Sequence, residues 1–408
     1  MMLIPNTLPD AGLPLDTGDA KAFGADAAQA AAALFALTHA HGDTHAHGDA
    51  ATPLTALPAL AAGLGLHSLH VKDEGGRHGL GSFKALGGAH AVIRLVLAEA
   101  ARRLGRPVAA ADLGTVAVRA IAGTMTVSCA TDGNHGRSVA AGARLVGARS
   151  VVFLHRGVSE VRAAAIREQG ARIVVVDGDY DDSLAEAGRV AAAEGWINVS
   201  DMALPGDERI PALVMQGYTV MAAEILRQMP QPPSHLFIQA GVGGVAGALA
   251  AHLAAVLGDS RPQVVVVEPD RAPCLFDSAR AGHRLRLDRH RPTVMAMLEC
   301  REPSVVAWRI LARLAAGFMT VADDEAMAAV DRLARPLGHD PAIPAGESGA
   351  AGLAGLLQAV SDPASRAALA LDDRARVLVI ATEGANDPQN QHRLSTTEAP
   401  PMTSKDTR

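Results

Sequence analysis

Apolar and polar residues follow two alternating periods along most of this chain. Short runs rich in apolar and β-branched residues predict strands at positions that include 116–121, 150–154, 173–176, 235–239 and 377–380. Longer stretches with the apolar spacing of amphipathic helices separate most of these runs. Strands that alternate with helices in this order are typical of a mostly parallel sheet covered by helices on both faces. The pattern therefore predicts an α/β protein.

Length and composition add a domain count and exclude several classes of protein. A chain of 408 residues is long enough for two domains. Its hydrophobic fraction of 49% and charged fraction of 20% are those of a globular protein. A net charge of −6 gives no basic surface for nucleic acid, and no apolar run reaches the ~18 residues of a membrane span. The N-terminus lacks the basic and apolar regions of a signal peptide, so we expect a cytoplasmic protein.

Neither the cysteines nor a histidine-rich tract predicts a metal site. Cys129, Cys274 and Cys300 are far apart and form no C-x-x-C pair, which argues against a disulfide framework and a cysteine zinc site. Histidine-rich tracts can bind zinc or nickel, and one tract here contains His39, His41, His45 and His47. Because no apolar residues frame these histidines, a solvated loop is the favoured interpretation.

A glycine-rich stretch, residues 71–89, predicts a nucleophilic lysine. An apolar run leads into a glycine-rich loop, and Ser82-Phe83-Lys84 then begins a helical pattern. Unpaired N–H groups in the first turn of a helix carry partial positive charge, which lowers the pKa of a nearby amine. A lysine with a lowered pKa can form a Schiff base with a carbonyl. The alternative is a surface lysine at the start of a helix.

A polar loop between a strand and a helix, Ala130-Thr131-Asp132-Gly133-Asn134-His135-Gly136, is a candidate anion site. Backbone N–H groups at such a turn can bind a carboxylate. Asn134 can orient a phenolic or carbonyl oxygen, and Asp132 can take up or release a proton. The alternative is an ordinary turn that leads into a helix.

A second glycine loop, Gly241-Val242-Gly243-Gly244, follows the strand at 235–239. Glycine lets the backbone approach a phosphate closely, so this loop predicts a phosphate site. It also resembles a dinucleotide fingerprint, with Glu268 as the ribose-binding carboxylate, but such a fingerprint should open the first strand–helix–strand unit. Gly346-Glu347-Ser348-Gly349 and Thr382-Glu383-Gly384 could line a ligand, or could simply cap a helix and end a strand.

Together these features suit one cofactor. Pyridoxal 5′-phosphate needs a lysine for its aldehyde, an anion site for its phosphate and a partner for its ring nitrogen. Lys84, the glycine loop at 241–244 and the hydroxyl of Thr382 could supply all three.

The same motifs resemble those of the fold type II pyridoxal-phosphate enzymes, the tryptophan-synthase β family. The resemblance runs from about residue 52 to residue 390 and rests on Ser82-Phe83-Lys84, the two loops and Gly346-Glu347-Ser348-Gly349. Within that family, Asp132 together with Gln216-Gly217-Tyr218 resembles the diaminopropionate ammonia-lyases. The resemblance implies a two-domain α/β fold in which each domain is a mostly parallel sheet flanked by helices.

The resemblance also implies how the domains are arranged. Residues 52–117 and 218–390 would form the large domain that binds pyridoxal phosphate, and residues 118–217 a smaller domain inserted into it. Residues 1–51 would be an N-terminal extension, partly of low complexity, and residues 391–408 a polar tail. A homodimer is implied in the same way.

Roles for the cofactor-binding residues follow from the resemblance. Lys84 would hold the cofactor through a covalent imine, with Phe83 beside it. Asn134 would contact the phenolic oxygen of the cofactor, and Thr382 would lie near its pyridine nitrogen. The phosphate would be bound by four consecutive residues, Gly241, Val242, Gly243 and Gly244.

Roles for the substrate side follow too. The backbone of three residues would hold the carboxylate of an amino-acid substrate, namely Thr131, Gly133 and His135. Two acids, matching Asp132 and Asp201, would serve substrates of opposite handedness. A β-amino group leaves well only when protonated, and the α-proton must be removed from the face it occupies. For Asp201, a turn residue beside a helix is the alternative.

The implied reaction is the α,β-elimination of 2,3-diaminopropionate to pyruvate and two molecules of ammonia. Met297, Glu299 and Arg301 stand where family members usually carry small residues. If these side chains face the substrate, the substrate specificity would differ from that of the family. Dehydration of serine or threonine on the same scaffold is the alternative reaction. A non-catalytic relative and a dinucleotide-binding dehydrogenase are the alternative classes.

Overall fold

The structure of the protein is a computed structural model that describes residues 2–40, 51–131, 133–288 and 291–385. Its strands are β1 (Met2–Pro5), β2 (Leu54–Ala56), β3 (Ser68–Asp73), β4 (Thr126–Ala130), β5 (Arg149–His155), β6 (Arg172–Val176), β7 (Ile197–Asn198), β8 (His235–Gln239), β9 (Gln263–Pro269), β10 (Ala315–Val321) and β11 (Arg376–Ala381). Its helices are α1 (Thr17–Phe23), α2 (Ala25–Ala40), α3 (Pro58–Leu64), α4 (Lys84–Leu104), α5 (Val116–Thr124), α6 (Asn134–Val146), α7 (Glu160–Arg167), α8 (Tyr180–Glu194), α9 (Arg209–Gln228), α10 (Gly244–Leu257), α11 (Cys274–Ala281), α12 (Val305–Leu314), α13 (Asp323–Ala334), α14 (Glu347–Ser361) and α15 (Pro363–Ala368). None of these described helices is both long and apolar enough to cross a membrane.

The larger sheet has seven strands in the order β1-β10-β9-β8-β11-β3-β2. Its interior pairs are all parallel, and only the two edge strands, β1 and β2, run antiparallel to their neighbours. Every residue of β8 is buried, as expected for a strand covered by helices on both faces. The predicted α/β fold with a mostly parallel sheet is confirmed.

The smaller sheet has four strands in the order β6-β5-β4-β7, and all of its pairs are parallel. Helices α6 and α8 pack against β4 and β5. These strands, from Thr126 to Asn198, fall within the segment 118–217 that the sequence assigns to a smaller domain. The boundaries of that domain stay a prediction.

The N-terminal residues are part of the larger unit rather than a separate appendage. Strand β1 extends the larger sheet by pairing with β10. Phe23, at the end of α1, is completely buried, and its carbonyl oxygen lies 2.8 Å from Nδ1 of His252 in α10. The histidine-rich tract between 39 and 47 lies almost wholly outside the described residues, and no side chain in it is described.

Two local predictions are corrected by the structure. Residues 116–121 form the helix α5 rather than a strand, because Thr115 caps the N–H of Val118 at 3.4 Å and the buried positions Val118 and Ala122 are one helical turn apart. The apolar pattern of residues 213–229 predicts a helix, and in the structure this helix begins earlier, at Arg209, and includes Pro211. A proline is tolerated there, since the first N–H groups of a helix have no helical partner anyway.

Close packing of α4 against α6 and α9 fixes the helix that carries Lys84. A Cβ atom at Gly217 of α9 would lie 2.5 Å from the carbonyl oxygen of Leu86, and a Cβ atom at Gly142 of α6 would lie 2.6 Å from Cα of Ala89. Glycine is therefore required where these helices meet. The first turns of α4 are held on both sides by the backbone of their neighbours.

Candidate active site

The carboxyl ends of strands from both sheets open onto one cavity of about 500 Å³. Lys84 follows β3, Thr131 follows β4, Gly241 follows β8 and Thr382 follows β11, and all of these residues line the cavity. Parallel sheets commonly bind ligands at this edge. The cavity brings together every described residue that the sequence predicts for the site; Asp132 lies outside the described residues.

Lys84 is the first residue of α4, and its amine forms an ion pair with the carboxylate of Asp201. Burial by itself would lower the pKa of Lys84, but the nearby charge of Asp201 outweighs it and raises the pKa above its ordinary value. The sequence-based prediction of a lysine whose pKa is lowered overall is therefore wrong. A full negative charge in contact with the amine is stronger than the partial charges of a helix end.

Asp201 lies just after β7, in a turn that Ser200 braces through hydrogen bonds of 3.1 Å with the backbone of Met202. Burial would raise the pKa of Asp201, but the charge of Lys84 holds it below its usual range. Asp201 is therefore ionised and faces the amine of Lys84. Such a pair can pass a proton between its two members.

His135 supports this pair rather than facing the cavity as a charged group. Its Nε2 lies 2.7 Å from the carbonyl oxygen of Val199, which can only accept, so Nε2 carries the proton. Burial lowers the pKa of His135, and its Nδ1 lies 3.9 Å from a carboxylate oxygen of Asp201. His135 therefore ties α6 to the segment after β7 that carries Asp201.

The N-terminus of α6 has backbone donors suited to the anion site that the sequence predicts there, and that site stays a prediction. The hydroxyl oxygen of Thr131 accepts hydrogen bonds from the N–H groups of Gly133 and Gly136, at 3.0 and 3.3 Å. The N–H groups of Asn134 and His135, in the first turn of the helix, have no partner within it. Donors of this kind suit a carboxylate.

The loop at 241–244 has the geometry of a phosphate cradle. Gly243 has φ +92° and is the N-cap of α10, whose first-turn N–H groups have no helical partner. A Cβ atom at Gly241 would lie 2.8 Å from the sulfur of Cys300, so a side chain there would fill the space. A bare backbone at a helix N-terminus on the cavity wall fits the phosphate of the predicted cofactor.

Thr382 is oriented by Gln239, a residue that ends β8. The Gln239 Nε2 lies 2.8–3.0 Å from three carbonyl oxygens and 2.9 Å from the hydroxyl oxygen of Thr382. Because carbonyl oxygens only accept, the amide nitrogen must face them, and its two N–H donors are shared among the four oxygens. An amide nitrogen accepts no hydrogen bond, so the hydroxyl of Thr382 cannot donate to it. The hydroxyl proton of Thr382 is thus left for another acceptor, which fits a pyridine nitrogen.

Backbone hydrogen bonds hold the Lys84 loop against the end of β11. The N–H of Phe83 donates to the carbonyl oxygen of Thr382 at 3.0 Å, and the N–H of Gly384 donates to that of Gly81 at 3.1 Å. The ring of Phe83 lies 4.9 Å from the ring of Tyr218, centroid to centroid. The lysine and the strand-terminal hydroxyl are therefore fixed relative to each other, as binding of one ring between them requires.

Comparison with known proteins identifies the family of this chain. The model of the family described as pyridoxal-phosphate dependent enzyme matches residues 46–383. The chain belongs to that family. Its cofactor is pyridoxal 5′-phosphate and its fold is that of the fold type II enzymes, as predicted.

Individual relatives indicate which group within the family this chain is similar to. The chain is 38% identical over 347 residues to the diaminopropionate ammonia-lyase of Escherichia coli (strain K12), covering 82% of this chain and 85% of the relative. Crystal structures of the Escherichia coli enzyme, one with an aminoacrylate–pyridoxal phosphate azomethine intermediate and one with D-serine, match with TM-scores of 0.82 and 0.81, at 33% identity and with 96% of each chain covered. The predicted resemblance to the diaminopropionate ammonia-lyases is confirmed.

Several residues on the cavity wall had no role assigned from the sequence. Gln239 looks like the polar end of an apolar strand, and its four contacts come from segments far away in the chain. Arg162, in the first turn of α7, lies against Gly133. A Cβ atom built on Gly133 would lie 3.4 Å from Cδ of Arg162. Arg301, one of the unusual residues, lines the cavity and pairs with Asp181 at 3.0 Å. In the sequence, Arg301 stands out only as a departure from the family pattern and Glu383 only as a carboxylate that ends a strand.

Proposed function

We propose that this protein converts 2,3-diaminopropionate and water to pyruvate and two molecules of ammonia by α,β-elimination. One observation carries the proposal: the amine of Lys84 and the carboxylate of Asp201 are paired inside a cavity that is also lined by the glycine loop at 241–244. Family membership and the similarity to diaminopropionate ammonia-lyases support the same reaction.

Pyridoxal phosphate, when bound, supplies the electron sink that lets the α-proton and the β-substituent leave. We assign the phosphate to the backbone of Gly241, Val242, Gly243 and Gly244, the pyridine nitrogen to the hydroxyl of Thr382 and the phenolic oxygen to Asn134. Lys84 is the residue that binds the aldehyde, with the ring of Phe83 against it. Because Lys84 is protonated beside Asp201, it must first pass its proton to that carboxylate or to solvent.

Proton transfers on the substrate fall to Lys84, Asp201 and Asp132. Asp201 is held ionised, so it can accept the α-proton on the face of the substrate that it meets, and its conjugate acid can then protonate the departing β-amino group. We assign the opposite face to Asp132, which gives the two enantiomers of the substrate one acid each. The N–H groups of Asn134 and His135 would bind the substrate carboxylate, braced by Thr131 and Gly133.

The experiment compares substrates and variants in one assay of ammonia and pyruvate. Wild-type protein should act on D- and L-2,3-diaminopropionate faster than on D-serine, L-serine or L-threonine. Lys84→Ala should abolish turnover and should also remove the visible absorption of the cofactor bound to lysine. Asp132→Asn and Asp201→Asn should each impair mainly one enantiomer. Absence of the visible absorption in wild-type protein supplied with pyridoxal phosphate would overturn the proposal.

Dehydration of serine is the second candidate reaction, because the similar Escherichia coli enzyme was crystallised with D-serine. A higher kcat/KM for either enantiomer of serine than for diaminopropionate would favour it. A protein with the visible absorption but no turnover of any of these amino acids would instead be a non-catalytic relative.

We also propose that the protein is a homodimer, on the strength of the family resemblance. Light scattering coupled to size-exclusion chromatography measures the mass directly. A mass near that of a single 41.9 kDa chain at micromolar concentration would contradict the proposal.

A further inference from the structure

Glu383 is a carboxylate on the cavity wall that the proposed proton transfers do not use. It follows Thr382 at the end of β11, and its Oε2 accepts a hydrogen bond of 2.8 Å from the side-chain nitrogen of Asn134. The backbone of Glu383 is itself fixed, since its carbonyl oxygen accepts from the N–H of Gly346 at 3.1 Å and Ser82 pairs with it across the loop. Glu383 is therefore fixed in contact with Asn134, which the proposed function assigns to the phenolic oxygen of the cofactor, and can influence the orientation of the Asn134 amide.

Two charged side chains and one hydroxyl face Glu383 from the neighbouring helices α7 and α14. Arg162 in α7 attracts its carboxylate, Glu347 at the start of α14 repels it, and Ser348 donates a hydrogen bond to it. Burial has the largest effect, and together these influences raise the pKa of Glu383 to about 7. Glu383 therefore changes its charge near neutral pH.

The protonation state of Glu383 decides which end of the Asn134 amide it can bind. An ionised carboxylate only accepts, so it binds the NH₂ end and leaves the second N–H of that nitrogen for another acceptor. A neutral carboxyl group has an O–H that donates, so it can bind the amide oxygen instead. Turning the amide over would then present its oxygen, rather than an N–H, to whatever Asn134 contacts.

We propose that Glu383 is a positioning residue that sets, through the Asn134 amide, where the proton shared by the cofactor's phenolic oxygen and its lysine-bound nitrogen resides. This inference rests on the assignment of Asn134 to the phenolic oxygen in the proposed function. With Glu383 ionised, Asn134 donates to the phenolic oxygen and favours the phenolate, so the proton lies on the nitrogen. With Glu383 neutral, Asn134 accepts and favours the phenol.

The two proton positions are distinguishable by absorption, because only the form with the proton on nitrogen extends conjugation into the visible. The ratio of visible to near-ultraviolet absorbance of the holoenzyme, without substrate, should therefore rise with pH through a midpoint near 7. Most of the rise should fall within about two pH units, as for a single titrating group. This readout needs no turnover.

Three variants test the role of Glu383. Glu383→Gln should keep the cofactor bound and make the ratio independent of pH from about 5 to 9, because nothing at that position titrates in that range. Arg162→Met should move the midpoint upward by about one unit, since the attraction that favours the charged carboxylate is lost. Glu302→Gln is the matched control: this carboxylate lines the same cavity but pairs with Arg284 at 2.7 Å, and the titration should keep its midpoint.

The outcomes separate this inference from the proposed function. Failure of wild-type protein to show any visible absorption with pyridoxal phosphate would overturn the proposed function and this inference with it. A visible band whose ratio to the near-ultraviolet does not change with pH in wild type would overturn the role of Glu383 alone. So would a titration in Glu383→Gln with the wild-type midpoint.

Discussion

The carboxylate of Asp201 is paired with the amine of Lys84, although the two residues are 117 positions apart in the chain. Lys84 belongs to the helix after β3 in the larger sheet, and Asp201 to the segment after β7 in the smaller one. Each group keeps the other charged, since burial alone would favour the neutral form of both. Proton transfer at the proposed site therefore depends on the relative position of the two sheets.

Replacement of Asp201 by asparagine should change both the pKa of Lys84 and the turnover. Without the carboxylate, burial and the helix N-terminus both act to lower the pKa of Lys84, so its amine should react with an acylating reagent at lower pH in cofactor-free protein. Turnover of at least one enantiomer of diaminopropionate should fall by roughly 10²- to 10⁴-fold, as for loss of a general acid–base. Mass spectrometry of acylated Lys84 across pH, with steady-state kinetics, measures both effects.

Asp207→Asn is the control for that experiment, because Asp207 is exposed and lies in the same segment. It should leave both the reactivity of Lys84 and the turnover unchanged. Equal reactivity of Lys84 in Asp201→Asn and wild type would show that the ion pair does not set its pKa.

Alanine substitutions at two glycines with left-handed backbone angles distinguish a loss of cofactor binding from an effect of backbone strain. Gly243 has φ +92° and Gly282 has φ +81°, so alanine at either position should cost about 1–2 kcal/mol of stability. Only Gly243 is in the loop that we propose as the phosphate cradle. A Cβ atom at Gly243 would lie 3.1 Å from Cβ of Ala307, whereas nothing lies within 4 Å of one at Gly282. Gly243→Ala should therefore also weaken binding of pyridoxal phosphate by about tenfold or more, since one good hydrogen bond to an ionised group is worth 1.5–3 kcal/mol.

Titration of cofactor-free protein with pyridoxal phosphate, together with urea unfolding, gives both quantities for both variants. Similar losses of cofactor affinity in Gly243→Ala and Gly282→Ala would mean that general strain, not the cradle, is responsible.

The parts of the site that the sequence predicts are those encoded locally. Lys84 and Gly241 each stand where an apolar run ends and a helical pattern begins, and the rule that parallel strands share a carboxyl edge brings these places together. Contacts between distant segments carry no such local signal. A role for Asp201 followed only from family resemblance, and its pairing with Lys84 was not predicted. The four contacts of Gln239 Nε2 followed from nothing in the sequence.

The same difference between local patterns and long-range contacts explains why strand β10 was not predicted from the sequence. Strand β10 has the sequence AAGFMTV, which lacks a run of β-branched residues. Its Gly317 is required because a Cβ atom there would lie 2.8 Å from the carbonyl oxygen of Ile4 in β1. That neighbour is more than 300 positions away in the chain. A long-range approach of this kind determines the strand, and a local pattern cannot predict it.

A buried group of charges behind the Lys84 loop should contribute strongly to stability. The amine of Lys72 donates to Glu224 at 2.7 Å, and Arg77 donates to Glu74 and Glu224 at 2.7 and 2.6 Å, with all four side chains buried. Glu224→Gln removes one of two negative charges and leaves a cation without its partner. We expect a loss of about 3–5 kcal/mol in the free energy of unfolding, measured by denaturant titration.

Glu186→Gln is the control for this change, because Glu186 pairs with Arg189 at 2.7 Å on the protein surface. Exposed pairs of this kind contribute little, so its unfolding free energy should match that of wild type. A loss in Glu224→Gln no greater than in the control would mean that water replaces the missing charge.

Glu268 should make the stability of the protein fall as pH rises. Its carboxyl group is completely buried at the start of α11, where it accepts from the N–H groups of Leu275 and Phe276 at 2.8 and 2.6 Å. Burial outweighs these hydrogen bonds and raises the pKa of Glu268 from 4.5 to about 8. The folded protein therefore keeps a proton that the unfolded chain releases above pH 4.5, so this stabilisation is complete below that pH and is lost as pH rises through 8.

Between pH 5 and 8 the contribution is on the order of 3 kcal/mol, and Glu268→Gln should remove it, since glutamine is neutral throughout. Urea unfolding at a series of pH values should give a steeper decline for wild type than for Glu268→Gln. Glu325→Gln, which alters the carboxylate that caps the N–H of Ala322 at 2.7 Å, should keep the wild-type slope. Parallel curves for wild type and Glu268→Gln would show that Glu268 is already ionised in the folded protein and that its two hydrogen bonds outweigh its burial.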